Sequence, residues 1–167
     1  MLDPKSQKFN HLKIHTEYSI CEGAIKINDI ANFCKDKKIQ SIGISDSFNL
    51  CGALEFSENV SKVGTQPIIG TQINFKYKNT TGKLPLIALN ENGYKNIINL
   101  SSKSYLENNL PTEPNCSIED LYKNIDGVLV FSGSINGLFG KLFDKGLISE
   151  IDELYKKLSS TCGNIFI

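Results

Sequence analysis

The chain has no arginine and no tryptophan, a single methionine, and only two histidines, His11 and His15. Its 18 basic residues are all lysines and are matched by 18 acidic residues, so the formal net charge is zero. Without a guanidinium the chain lacks the rigid two-pronged donor that reads guanine edges. Without excess positive charge it gains little by displacing counterions from phosphates. Little direct contact with DNA is therefore expected. Two imidazoles also cannot furnish a multinuclear centre rich in histidine ligands. Cys21, Cys34, Cys51, Cys116 and Cys162 are odd in number and include no Cys-x-x-Cys pair. That spacing argues against a disulfide framework or a thiolate zinc site and for a reducing compartment. No apolar stretch nears the roughly 18 residues that span a bilayer, and the N-terminus lacks the apolar core of a signal peptide. The expected location is the cytoplasm, with no membrane partner. Abundant Lys, Asn and Ile without Arg or Trp also fits codon drift in an AT-rich genome, which competes with any functional reading of a single lysine.

What is present is an alternation of short apolar runs with helical patterns. Residues 9–15 read as a strand that sets Phe9, His11, Lys13 and His15 on one side, and 28–38 as a helix that Asn28 can cap. Residues 41–46 form an apolar run ending in an acid, followed by a helix over 52–63 that Gly64 breaks. Strands are expected at 67–77 and 84–89, with Asn92-Gly93 as turn chemistry and a helix from 94 to 107. Residues 108–117 carry two prolines and no periodicity and read as a polar linker. Ser117 and Asp120 have the spacing of a capping box. A strand at 128–131, helical turns at 138–143, an amphipathic helix at 148–158 and a strand at 164–167 complete the pattern. Repeated strand–helix units favour a mainly parallel α/β sheet or barrel, with an open layered sheet as the alternative. The strand at the end of the sequence leads us to expect a domain truncated at its C-terminus.

The densest polar cluster is HLKIHTEYSICEG, residues 11–23. Strand alternation would put Lys13 beside His15, but an ammonium has no lone pair, so the two cannot chelate an ion. Glu22 lies just beyond this strand and Asp46 ends the next. Acids at the carboxyl ends of successive parallel strands converge on the mouth of a barrel, whereas a structural Asp46-Ser47 would cap the loop and helix that follow. No glycine-rich phosphate loop is present, and Ser19 and Ser45 would be nucleophiles only beside a base. The residues outline a metal site without its ligands.

Four ordered segments carry a resemblance: HLKIHTEYSICEGAIKI, ISDSFNLCGALEF, QPIIGTQINF and LIALNENGYKNIINLSSKSY. Together they resemble the PHP (polymerase and histidinol phosphatase) domain found at the N-terminus of the bacterial DNA polymerase III alpha subunit. The match is best over residues 9–105 and continues more loosely through VLVFSGSINGLFGKL, making 1–167 the N-terminal part of such a domain. The resemblance implies a distorted β/α barrel of PHP type, α/β in class, with metal ligands at the strand ends. Active members of this kind would carry histidines at positions 13 and 15, an acid at 22 and Asp-His at 46–47. They would also carry an acid at position 72 and a histidine at 83. This sequence keeps His15, Glu22 and Asp46 but has Lys13, Ser47, Gln72 and Lys83 at the others, so no metal, cofactor or catalytic residue is expected in this region. Lys13 and Lys83 are candidates to replace the lost cations by pairing with Glu22 and Asp46.

For function, the resemblance implies the N-terminal region of a replicative polymerase catalytic subunit, a DNA-directed DNA polymerase and nucleotidyltransferase. This stretch would be a metal-free scaffold that packs against the rest of the alpha chain and docks the proofreading exonuclease subunit. Mg2+ would belong to the polymerase domain elsewhere in the parent chain. The alternatives are an active metal-dependent phosphoesterase or nuclease of the PHP superfamily and, from a third class, a free-standing small-molecule binder.

Overall fold

Alternation of apolar runs and helical stripes produces a six-stranded sheet with helices packed against it. The structure, a computed structural model, describes residues 9–106, 114–162 and 165–166. β1 (Ser41–Ser47) and β2 (Gln66–Tyr77) pair in parallel and are joined through α2 (Ala53–Lys62), the strand–helix–strand unit the sequence predicts. Gly64, at φ 82°, ends the helical segment behind α2.

β2 does not lead into another crossover. It turns back through Lys78 and Asn79 into β3 (Thr80–Ala88), which lies antiparallel to it. Lys78 takes φ 50°, the left-handed conformation that tight hairpin turns use, without a glycine to announce it. β5 (Val128–Phe131) is antiparallel to β3, β6 (Ile165–Phe166) parallel to β5, and β4 (Asn115–Ser117) parallel to β2. Among the described residues the sheet has three parallel and two antiparallel ladders, so it is α/β and more parallel than not, as expected, but mixed, with the antiparallel pairs centred on β3. β4 falls within the stretch read as linker; Cys116 draws it in, buried and donating its thiol to the Leu100 carbonyl at 3.2 Å. The rest of that stretch up to residue 113, and residues 164 and 167 of the last strand, lie outside the described residues.

The helices form for legible reasons, with small shifts. α1 (Ile27–Lys37) begins one residue before Asn28, which does not cap it, because Ile27 belongs to the buried stripe Ile27, Ile30, Ala31 and Cys34. α3 (Glu91–Leu106) absorbs the Asn92-Gly93 pair read as a turn. The Asn90 carboxamide oxygen accepts from the Gly93 N–H at 2.9 Å, and a Cβ on Gly93 would stand 1.8 Å from the Gly127 carbonyl oxygen. This glycine serves close packing, not a turn. α4 (Ile118–Lys123) starts on the predicted capping box, with both the Ser117 and Asp120 halves formed. α5 (Leu138–Asp144) packs on β3 and α6 (Ile148–Cys162) on α5.

Two apolar clusters hold these elements. Ile42 and Ile44 of β1 meet α1 and α2, while Ile73, Phe75, Leu84 and Leu86 of β2 and β3 meet α3. Residues 11–14 run along the outer edge of β1 but form no strand. Gly43 N–H donates to the His11 carbonyl at 2.6 Å and Ser45 N–H to that of Ile14 at 2.8 Å. Three residues are thus advanced against two of β1, and this slip reduces the ladder to a single bridge, Ile14 with Ile44, and breaks the expected alternation with it.

Candidate functional site

Side-chain period along the strands gathers the site. In β1, Ile42 and Ile44 point to the α1–α2 cluster, so Ser45 and Ser47 face the other way. Ser47 is opposite Gln72 of β2, and Asn74 two residues on is opposite Lys83 of β3. Ser47, Gln72, Asn74 and Lys83 therefore share one face at the carboxyl end of β1. The loop after residue 15 brings His15, Ser19 and Glu22 over it.

The groups join in one continuous hydrogen-bonded chain. The Lys83 ammonium pairs with Glu22 Oε1, and the Ser47 hydroxyl donates to Glu22 Oε2. Gln72 Nε2 donates to Ser47 Oγ at 3.1 Å and lies 3.1 Å from His15 Nε2. His15 Nδ1 is 3.4 Å from Ser19 Oγ, whose proton goes to Asp46 Oδ1 at 2.6 Å. That polarity is self-consistent for one arrangement only: a neutral imidazole carrying its proton on Nδ1 and accepting from Gln72 on Nε2. Burial, the largest influence, holds the imidazole below its usual pKa despite the attraction of Glu22, in agreement with the neutral form.

Asp46 is 2% exposed and is satisfied without any lysine. The Thr16 N–H reaches its Oδ1 at 2.6 Å and the Thr16 hydroxyl its Oδ2 at 2.7 Å, in addition to Ser19. The expected pairing of the two lysines with the two acids is thus met in one half and corrected in the other: Lys83 pairs with Glu22, whereas Asp46 binds hydroxyls and an amide and Lys13, among the described residues, makes no ion pair. Lys13 still lines the cleft of about 350 Å3 above His15, Glu22, Gln72 and Lys83. His11 stands apart, edge-on to Phe9 at 4.8 Å. Thr16 is the member that sequence reasoning missed, and Ser19 acts as an Asp46 donor instead of a nucleophile. Their only signal is their place in the polar run 11–23.

Burial tends to raise the Glu22 carboxyl, but hydrogen bonds from Lys83 and Ser47 and the Lys83 charge outweigh it and hold it below its ordinary value of 4.5. A depressed carboxyl stabilises the fold fully above its unfolded value and loses that contribution as pH falls through the folded value. The pair is partly open to water, Lys83 29% and Glu22 37% exposed, so its worth is modest. Lys83→Met is expected to cost about 1 kcal/mol near neutrality, and that loss should vanish in a Glu22→Gln background and fade on acidification. Urea unfolding of the two single variants and the double variant from about pH 6 to about pH 3 measures this. Additive effects that do not change with pH would show that the ion pair contributes nothing. Lys13→Ala, as control, should stay within about 0.5 kcal/mol of wild type.

The donor set does not fit a multinuclear metal centre. Two positions present ammonium groups, one a carboxamide and one a hydroxyl, and the Asp46 oxygens are taken up by Thr16 and Ser19. Among the described residues, no group of three or more His, Cys, Asp or Glu side chains is placed to hold a metal ion. The frame nonetheless has a recognisable source, for the PHP domain family matches residues 11–167. The chain belongs to the PHP domain family. This PHP chain is 32% identical over 174 residues to the DNA polymerase III subunit alpha of Caulobacter vibrioides, covering 99% of the chain and 15% of that protein. It is 37% identical over 146 residues to that of Borreliella burgdorferi, covering 81% and 13%. The subunit alpha of Buchnera aphidicola is 34% identical over 162 residues, covering 92% and 14%. The PHP chain thus spans about one-seventh of the length of these relatives. No described helix is long and apolar enough to cross a membrane.

Proposed function

We propose that the chain is the N-terminal PHP region of a replicative DNA polymerase III alpha subunit, serving DNA replication as a metal-free scaffold in the cytoplasm. In this reading it forms part of a distorted β/α barrel and packs against the rest of the alpha chain. It also offers a docking surface to the proofreading exonuclease subunit. Nucleotidyl transfer, with its Mg2+, belongs to the polymerase domain of the parent polypeptide. The observation that carries the reading is Lys83, whose ammonium lies against Glu22 within the frame of former ligand positions. A tethered cation there offsets the acid that a metal would otherwise neutralise.

The rival reading, a metal-dependent phosphoesterase or nuclease, needs ligands that Lys13, Ser47, Gln72 and Lys83 do not supply in kind. The Ser47–Glu22 contact looks like a nucleophile beside a base, but a carboxylate held below its ordinary pKa is a weak base. Elemental analysis of protein purified without chelator tests the proposal. Zinc, manganese and iron are expected well below one ion per chain, and near-stoichiometric metal would overturn it. A pull-down against the exonuclease subunit tests the docking surface.

A further inference from the structure

Lys83 and Asn136 form a wall between two cavities. On one side is the cleft with Glu22; on the other is a second cleft of about 440 Å3, lined also by Phe48, Asn74 and Lys141. We propose that this second cleft is an anion site that takes a phosphate group, as free phosphate or as a phosphomonoester. It adjoins the cluster of His15, Glu22, Ser47 and Gln72 and shares Lys83 with it, but it opens on the other side of that lysine and does not rest on the metal-free reading.

Two ammonium groups and two carboxamides converge there, and none of the described lining residues is acidic, in a chain whose overall charge is balanced. Each ammonium has three donors. The structure commits one on Lys83 to Glu22 and one on Lys141 to the Thr81 carbonyl at 2.9 Å. These bonds fix where the nitrogens stand while leaving each able to donate again. A partly enclosed site strengthens such charge-assisted bonds relative to open water.

Phe48 is the independent sign that the cleft is built. It holds φ 63°, a left-handed conformation that a bulky side chain rarely adopts and that clusters at functional sites. Surrounding bonds impose it: its N–H donates to the Gln72 carbonyl at 2.8 Å, and its carbonyl accepts from Ser101 Oγ at 3.3 Å. The result sets its ring under the Lys83 nitrogen, 5.2 Å from centroid to Nζ, and restrains the ammonium at the cleft wall.

Titration of the full chain with inorganic phosphate, and separately with a nucleoside 5′-monophosphate, is read by amide NMR at low ionic strength. Saturable shifts are expected at the Asn74 and Asn136 side-chain amides and at Thr81, weakening as salt is added. Lys141→Ala, an exposed position where folding is not at risk, should weaken binding about tenfold, and Lys141→Arg should retain it. Equal affinity for the two probes would assign free phosphate, and tighter nucleotide binding a phosphomonoester; either supports the site. Shifts that do not saturate, that map elsewhere, or that survive Lys141→Ala unchanged would overturn it.

Discussion

Asp46→Ala is expected to cost about 3 kcal/mol of folding stability, the largest effect of any polar substitution in the site. The carboxylate accepts three hydrogen bonds, from the Thr16 N–H, the Thr16 hydroxyl and the Ser19 hydroxyl. Thr16 and Ser19 are themselves 0% and 1% exposed, so water cannot replace the lost acceptor without opening the loop. Removing it leaves donors buried and unsatisfied, which costs more than the bonds were worth. Ser19 also accepts from the Ser47 N–H at 3.1 Å, so its displacement would loosen the end of β1 as well. Asp46→Asn keeps the volume and one acceptor and should lose about half as much. Chemical denaturation gives the magnitude, and hydrogen exchange at the Thr16 and Ser47 amides shows where protection is lost. An Asp46→Ala protein within about 0.5 kcal/mol of wild type would show that the carboxylate does not hold this loop.

Phe75→Ala should be more damaging still, at about 3–5 kcal/mol. Phe75 is fully buried on β2, which is hydrogen-bonded on both sides at that point, opposite Gly82 of β3 and Cys116 of β4. A strand held on both edges cannot shift inward to fill the space, so most of the ring volume stays as a cavity. Against the 5–15 kcal/mol that stabilises an ordinary domain, this is a large share of the total. The urea midpoint should fall sharply with the slope of the transition unchanged, since the same surface is exposed on unfolding. A loss below about 1 kcal/mol would mean that the β2–β3 cluster is loosely packed and that stability resides elsewhere.

These two residues also show what could be read in advance. Ile73, Phe75, Leu84 and Leu86 follow a period of two, and the helices follow their apolar stripes, so strands, helices and core were legible from local pattern. The β2–β3 hairpin was not, because Lys78 adopts a left-handed turn without the Gly that usually signals one. Nor was the slip of residues 11–14 along β1, which depends on a backbone approach that a sequence pattern does not record. Gln72, Ser47, Glu22 and Lys83 were named from the chain because a family frame singled those positions out. The pairing of Lys83 with an acid was anticipated from that frame and is met at Glu22, 61 residues away, whereas the partners of Asp46 were not legible, since it meets Thr16 across 30 residues. Asn74, Asn136 and Lys141 carried no signal at all; only the packing of α5 on β3 assembles their cleft.

Lys83 has one more consequence. A diffusible ion occupies a site in proportion to its supply, and can be diluted or captured by a chelator. An ammonium fixed to β3 is present at an effective concentration set by the strand geometry alone, because it arrives with the fold. Occupancy beside Glu22 is thereby written into the polypeptide and copied with every chain made, whatever the metal supply of the surrounding solution.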